Sequence, residues 1–290
     1  MSDIPTGFKN AQQMTEEELK AKLMADYKVE NTRKSNFPTE IINLPSRGLP
    51  YPEGHPLSSG TIEMKYMTAK EEDILTSPNL IKSGKVLPKL FQSLIVTPVQ
   101  YGDILLCDMN AILIAARILA YGKDYAVEVE DPFSPDTKQK VVIDLTQIED
   151  ENIDYSKLTP GKNRFEFTLP HSKRIVEFKL LNNRDEEQIK EEIKSNSKGK
   201  LKSDISTERS TTLKYMITGV SDDNGSMITD RAGIIKFVDY ELFALDAREL
   251  RSYMKKMMPG TDLTFTFVSD ITGEESQMDI PVGVNFFWPK

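Results

Sequence analysis

Cysteine and histidine are nearly missing: Cys107, His55 and His171 are all that 290 residues contain. No disulfide can close within one chain, and no cysteine-rich metal site can be built by it. At this length a core needs no covalent staple, so the shortage fits a reducing compartment. There is no HExxH, no GxxxxGK[ST] and no GxGxxG, which removes the zinc hydrolase signature and the two commonest backbone cradles for phosphate. Long apolar runs are also lacking. The longest, near Ala111 to Ala120, is broken by Arg117, and MSDIPTGFKN has no basic region followed by an apolar stretch, so neither export nor a membrane span is expected. Positive charge is in deficit too. With 37 basic against 45 acidic residues the formal charge is -8, which opposes a phosphate backbone, and nucleic acid is not an expected partner. The one basic run, KSNSKGKLK from Lys194 to Lys202, has the Ser and Gly content of a solvated linker.

What is present reads as an α+β chain: helical segments, small antiparallel hairpins or sheets, and an extended N-terminal arm. Residues 1–36 are polar, with one helical stretch behind a Thr15/Glu18 capping box and a single stripe of Leu19, Leu23 and Tyr27. That stripe cannot bury itself, so the segment is either a mobile arm or one that folds onto a partner. FPTEIINLPSRGLPYPEGHPLSSG follows, with prolines at 38, 45, 50, 52 and 56. It excludes a long helix and reads as an ordered wrapping segment whose Phe37, Ile41, Ile42, Leu44, Leu49 and Tyr51 give it surface to pack with.

Alternation of Ile62, Met64 and Tyr66 predicts a strand over Thr61 to Met67, and Thr68 with Glu71 predicts a capped helix stopped by Pro78. Helical spacing continues near Pro78 to Lys82, over Val86 to Ile95 and over Asp103 to Tyr121, where Gly122 is the expected C-cap. Two hairpins are expected next, Tyr125 to Glu130 with Lys140 to Leu145, and Arg164 to Leu169 with Ile175 to Leu181. A charged helix, DEEQIKEEIKSNSKGK, precedes further helices over Thr207 to Val220, Thr229 to Tyr240 and Ala244 to Met258. A ribbon around SDITGEES then leads to NFFWPK. The expected organisation is an arm (1–36), an α+β domain (37–190), a linker (191–205) and a helical segment ending in a ribbon and aromatic tail (206–290).

No catalytic or metal-binding residue is assigned, and no cofactor is expected. His55 and His171 sit in turn-rich stretches, and Cys107 on a helix interior reads as core, not as a nucleophile. SDDNGSMITD clusters carboxylates around a glycine as a calcium loop does. However, the twelfth position counted from Asp222 is Gly233, where a bidentate Glu belongs, so a helix-joining turn with a capping Asp or Thr is the reading.

FPTEIINLPSRGLPYPEG leading into TIEMKYMTAKEEDILTSPNLIKSGKVLPKLFQSLI, then DMNAILIAARILAYGKDY, resembles the baseplate hub family of T4-like contractile-tailed phages. The similarity runs well over residues 37–190 and more loosely through the C-terminal ribbon. Where zinc-ribbon knuckles would carry paired cysteines, DPFSPDT and SDITGEES hold none, which puts any metal in doubt. The resemblance implies a non-enzymatic structural or assembly component of the tail baseplate hub, acting by protein–protein binding. A non-virion assembly chaperone or a general cytosolic adaptor are the alternatives. Implied partners are other baseplate or hub proteins, with tape-measure or tail-tube proteins as further candidates, in an oligomeric assembly. The implied location is the host cytoplasm during assembly and, for a retained component, the virion. Candidate partner-binding residues are Phe286, Phe287 and Trp288, either tucked into their own domain or inserted into a neighbour, together with Phe37, Leu49 and Tyr51.

Overall fold

A computed structural model describes residues 38–198, 207–222, 224–282 and 284–287. Two compact units divide at Pro38/Thr39, and every described helix and strand belongs to the second, Thr39–Lys290. The expected arm, with its Thr15 capping box, lies outside the described residues.

The proline-rich entry opens as strand β1 (Thr39–Asn43), antiparallel to β2 (Thr61–Lys65). The loop between them folds on itself through two glycines with positive φ, Gly48 and Gly60. A Cβ on Gly48 would stand 2.5 Å from the Gly60 nitrogen, and one on Gly60 would stand 2.7 Å from the Arg47 carbonyl carbon, so only hydrogen fits at either place. Helices α1 (Ala69–Thr76), α2 (Pro78–Ser83), α3 (Val86–Leu94) and α4 (Leu106–Tyr121) come next. Gly122 ends α4 as expected, its φ of 84° open to glycine and its N–H donating to the Ile118 carbonyl.

Strands β3 (Asp124–Glu130) and β4 (Lys138–Asp144) form one hairpin, and β9 (Thr264–Val268) with β10 (Glu275–Asp279) another, each in the expected place. The two are joined by side chains: Gln139 Nε2 donates to the Val268 carbonyl at 2.9 Å, and Ser269 Oγ donates to the Asp131 carboxylate at 2.6 Å. Between them in sequence come β5 (Phe165–Thr168), β6 (Ile175–Phe178), α5 (Asn183–Lys198), α6 (Glu208–Met216), β7 (Ile217–Ser221), β8 (Met227–Ile228), α7 (Arg231–Lys236) and α8 (Ala244–Met257).

The fold corrects two local expectations. Thr207 to Val220 is helical only as far as Met216. Ile217, Gly219 and Val220 then pair with β6, because the β-branched residues of this stretch fit a pleat and a neighbouring edge is available to satisfy its backbone groups. Consequently the turn inside SDDNGSMITD joins strands β7 and β8 and not two helices. Asp222 Oδ1 accepts the N–H groups of Asn224 and Ser226, and Asp230 caps α7 through the Gly233 N–H. The antiparallel sheet β5-β6-β7-β8 therefore draws strands from both sides of the 191–205 stretch, and residues from both sides share one apolar cluster.

Three buried polar groups hold the elements in register. Asp108, fully buried in the first turn of α4, accepts the Ser46 N–H (2.9 Å), the Ser46 hydroxyl (2.9 Å) and the Tyr51 hydroxyl (2.8 Å). Tyr51 in turn accepts the Leu105 N–H at 3.0 Å. Glu71 accepts Lys65 Nζ (2.9 Å), the Thr68 N–H (3.0 Å), the Thr68 hydroxyl (2.6 Å) and the Ser93 hydroxyl (2.7 Å), which ties β2, α1 and α3 together. Arg117 on α4 donates to the carbonyls of Phe286, Gly122 and Asp124.

Asp108→Ala leaves the Ser46 and Tyr51 donors buried without an acceptor and is expected to lower unfolding free energy by about 3 kcal/mol in urea at unchanged m-value. A loss below about 0.5 kcal/mol, the ordinary range of a surface substitution, would show that the network does not bear on folding. Burial pushes the Glu71 carboxyl up, but hydrogen bonds from Lys65, Thr68 and Ser93 outweigh it and hold the group down to about 2, against 4.5 for a free carboxyl. A folded pKa below the unfolded one stabilises fully above pH 4.5 and less and less as pH falls toward 2. Glu71→Gln is accordingly expected to flatten the pH dependence of unfolding across that window, measured by urea titration at several pH values. An unchanged slope would contradict the assignment.

Candidate functional site

Helix α8 buries Ala247, Leu250, Met254 and Met257 at intervals of three and four, the spacing of one helical stripe. Met254 of that stripe lines one cleft together with Leu213 and Met216 of α6 and with Leu106, Cys107 and Asn110 at the start of α4. The start of α4 is fixed from two directions. Leu106 N–H donates to the Leu181 carbonyl at 2.9 Å, and Asn183 reaches the carbonyls of Tyr101 and Ile104 at 3.0 and 3.2 Å. Leu180 is pinned by a reciprocal pair with Asn163, at 2.8 and 2.9 Å.

The three helices do not close on one another. They leave a cleft of about 740 Å³ floored by Leu106, Leu180, Leu181 and Leu213 and walled by Met216, Met254 and Met258. Met258, just past the end of α8, is 42 % exposed, so the apolar lining runs out to solvent. Arg209, Arg251 and Lys255 stand on the rim with Glu151 and Glu208. Among the described residues, none of those three cations has an ion pair. Thr261 also lines the cleft. Its Oγ1 is buried and has no hydrogen-bond partner among the described residues, although buried polar atoms in folded proteins nearly always have one.

The titratable groups in and around the cleft have the following surroundings. Cys107 lines it at 7 % exposure, and burial, with the Asp108 charge second, pushes its thiol well up, the opposite of an activated nucleophile. His55 stacks on Tyr51 at 4.8 Å and its Nδ1 accepts the Leu57 N–H. Burial pushes its pKa down. His171 sits edge-on to Phe243 at 4.9 Å, and its backbone N–H donates to Asp246, which also takes the Ser172 N–H. Among the described residues no three His, Cys, Asp or Glu side chains are grouped to hold a metal ion, and no helix is long and apolar enough to cross a membrane.

The candidate contact residues are scattered. Phe286 and Phe287 are buried in this chain's own core, Phe286 edge-on to Tyr125 at 4.8 Å with its carbonyl held by Arg117. Of the two alternatives for the aromatic tail, these two rings take the first. Tyr51 is buried in the Asp108 network, and Leu49 is half-buried against the core, with its carbonyl accepting the Gly161 N–H. Phe37 and Trp288 lie outside the described residues. The cleft brings none of these together. Its own residues carried a signal in the sequence, Met216 and Met254 on two helices and Met258 just past the second, but nothing in the spacing says that these helices and α4 line one cleft.

Cys107 is expected to stay unmodified by a thiol reagent at pH 8 in the native chain while reacting fully in urea, followed by absorbance. Rapid stoichiometric labelling of the native chain would overturn the burial assigned to it.

The family model described as T4 bacteriophage base plate protein matches residues 50–288. No curated protein and no solved structure matches the chain. The matched span starts in the proline-rich loop and takes in every element from β2 to the C-terminal turn, including all three helices of the cleft. With the match extending over most of its length, the chain belongs to the T4 bacteriophage base plate protein family.

Proposed function

We propose that this chain serves the hub of the phage tail base plate as a structural or assembly component, working by binding other base plate proteins and not by catalysis. The family match across residues 50–288 carries the reading, since it covers the folded unit almost whole. The chemistry of the surface supports it. The cleft between α4, α6 and α8 is apolar and methionine-walled, a lining that adapts to protein side chains. The thiol beside it is buried with its pKa raised, and neither histidine shares a site with it. Apolar grooves are one of the surfaces by which a segment of another chain is recognised.

An assembly factor that leaves the finished hub is the second reading, and the fold accommodates both. A nonsense mutation in the gene, examined by electron microscopy of infected-cell lysates, is expected to leave tails without complete base plates, with the wild-type gene in trans restoring them. Normal base plates in the mutant would reject the role. Mass spectrometry of purified particles then separates the two readings: peptides of this chain at stoichiometric yield mean a retained component, and their absence means a factor that departs.

A further inference from the structure

We propose that the outer edge of β1 pairs with an extended segment of a partner base plate protein, one with apolar residues at alternate positions and basic residues beside them. The inference rests on the protein-binding role proposed for the chain. Backbone geometry gives the form of the guest. Strand β2 is engaged on both sides: β1 lies on one, and on the other Glu63 accepts the Val96 N–H at 2.8 Å and donates its own N–H to the Thr97 hydroxyl at 2.8 Å. Glu63 thus turns its backbone groups away from Ile41, its register partner, while Leu44 N–H donates to the Gly60 carbonyl. By the alternation of an antiparallel ladder, Glu40 and Ile42 bond to β2, and Ile41 and Asn43 point their N–H and C=O groups outward. Among the described residues nothing bonds those outward groups. An extended chain would satisfy them, and a helix would not.

The surroundings of the edge give the guest its side chains. Residues 40–43 line a groove of about 540 Å³ together with Ala115 and Ile118 of α4 and with Leu145 and Ile148. Ile42 shares its face of the hairpin with the buried Ile62 and Met64, so a strand added to β1 would present every second side chain to that apolar lining. The charged residues of the groove are Glu40 and Asp150, both exposed. Glu40 accepts the Tyr66 hydroxyl at 3.1 Å, and Arg47, within electrostatic reach of Asp150, is stacked over the Tyr155 ring at 3.7 Å. Carboxylates beside an apolar strip favour lysine or arginine on the guest. A second copy fits less well, because β1 against β1 centred on Ile41 sets the two Glu40 side chains diagonally on one face. The chain's own leading residues also fit less well. KVENTRKSN, from Lys28 to Asn36, has Val29 as its one apolar residue, and Leu19, Leu23 and Tyr27 stand at helical spacing.

The test uses the full chain labelled with ¹⁵N and two short synthetic peptides that alternate valine with either lysine or glutamate. In the free chain the Ile41 and Asn43 amides are expected to exchange rapidly with solvent, and the lysine peptide is expected to protect both. Ile41→Pro removes an N–H that already points outward, so it is expected to leave the β1–β2 ladder intact and to weaken the lysine peptide by roughly tenfold. If that variant does not fold, Glu40→Lys at an exposed position serves in its place, and it is expected to move the preference toward the glutamate peptide. Equal binding of both peptides, protection confined to other amides, or no binding would overturn the proposal. Protection of Ile41 and Asn43 without peptide would overturn it too, assigning the edge to a second copy if the mass doubles with concentration and to this chain's own residues if it does not. Should the peptides fail while the nonsense mutant still lacks base plates, the role stands and only this guest falls.

Discussion

Asp108 is the constraint from which the rest of the structure follows. A carboxylate taken out of water is tolerated only when its lone pairs are occupied, and here the loop that carries Ser46 and Tyr51 occupies them. Burial still pushes the group's pKa up, with the Ser46 and Tyr51 hydrogen bonds opposing it, so the network is a fixed point more than a source of surplus stability. Its effect is directional. Asp108 points toward the proline-rich loop, and Leu106, Cys107 and Asn110 on the same turn are thereby aimed at the cleft. Rotating α4 to relieve the carboxylate would turn its apolar wall away.

The other end of the same helix is fixed by a buried cation. Arg117 is 2 % exposed and bonded to three backbone carbonyls, with the rings of Tyr121 and Tyr125 at 5.1 and 5.8 Å. A guanidinium cannot shed its proton as a buried lysine can, so it must be solvated by protein dipoles, and those it uses belong to the turn after α4, to β3 and to the C-terminal turn. The C-terminal rings of Phe286 and Phe287 are buried in the core, and Arg117 adds one hydrogen bond to the Phe286 carbonyl. Helix α4 thus anchors the entry loop at one end and the C-terminal turn at the other, and the cleft lies against the end held by Asp108.

Much of the fold was legible in the sequence where one local rule governs. The Thr68/Glu71 capping box, the stop at Pro78, the Gly122 cap and the hairpins around DPFSPDT and SDITGEES each depend on a few adjacent residues, and each stands where expected. Legibility ended where a distant partner decides. Ile217 to Val220 continues a helical pattern, and only the free edge of β6 turns it into a strand. Tyr51 looks like an adhesive aromatic until Asp108, 57 positions away, claims its hydroxyl. For Phe286 and Phe287 the sequence leaves burial and anchoring both open, and the structure buries both rings, with Arg117 bonded to the Phe286 carbonyl. The cleft is the extreme case, lined by parts of three helices, of which α8 shows an apolar stripe while α6 buries only Thr211 and Leu213.

The same contrast bears on the apolar surface that the described residues leave exposed. Isolated exposed residues such as Ile41 or Ile271 are ordinary for a protein surface and imply nothing by themselves. In the described residues the cleft joins an apolar lining to charged side chains of both signs, Arg209, Arg251 and Lys255 with Glu151 and Glu208. Closing it would require α6 and α8 to move toward α4. That motion is opposed by β7, which follows α6 directly and is locked into the sheet with β6, and by Asp246, which secures the start of α8 to the β5–β6 turn.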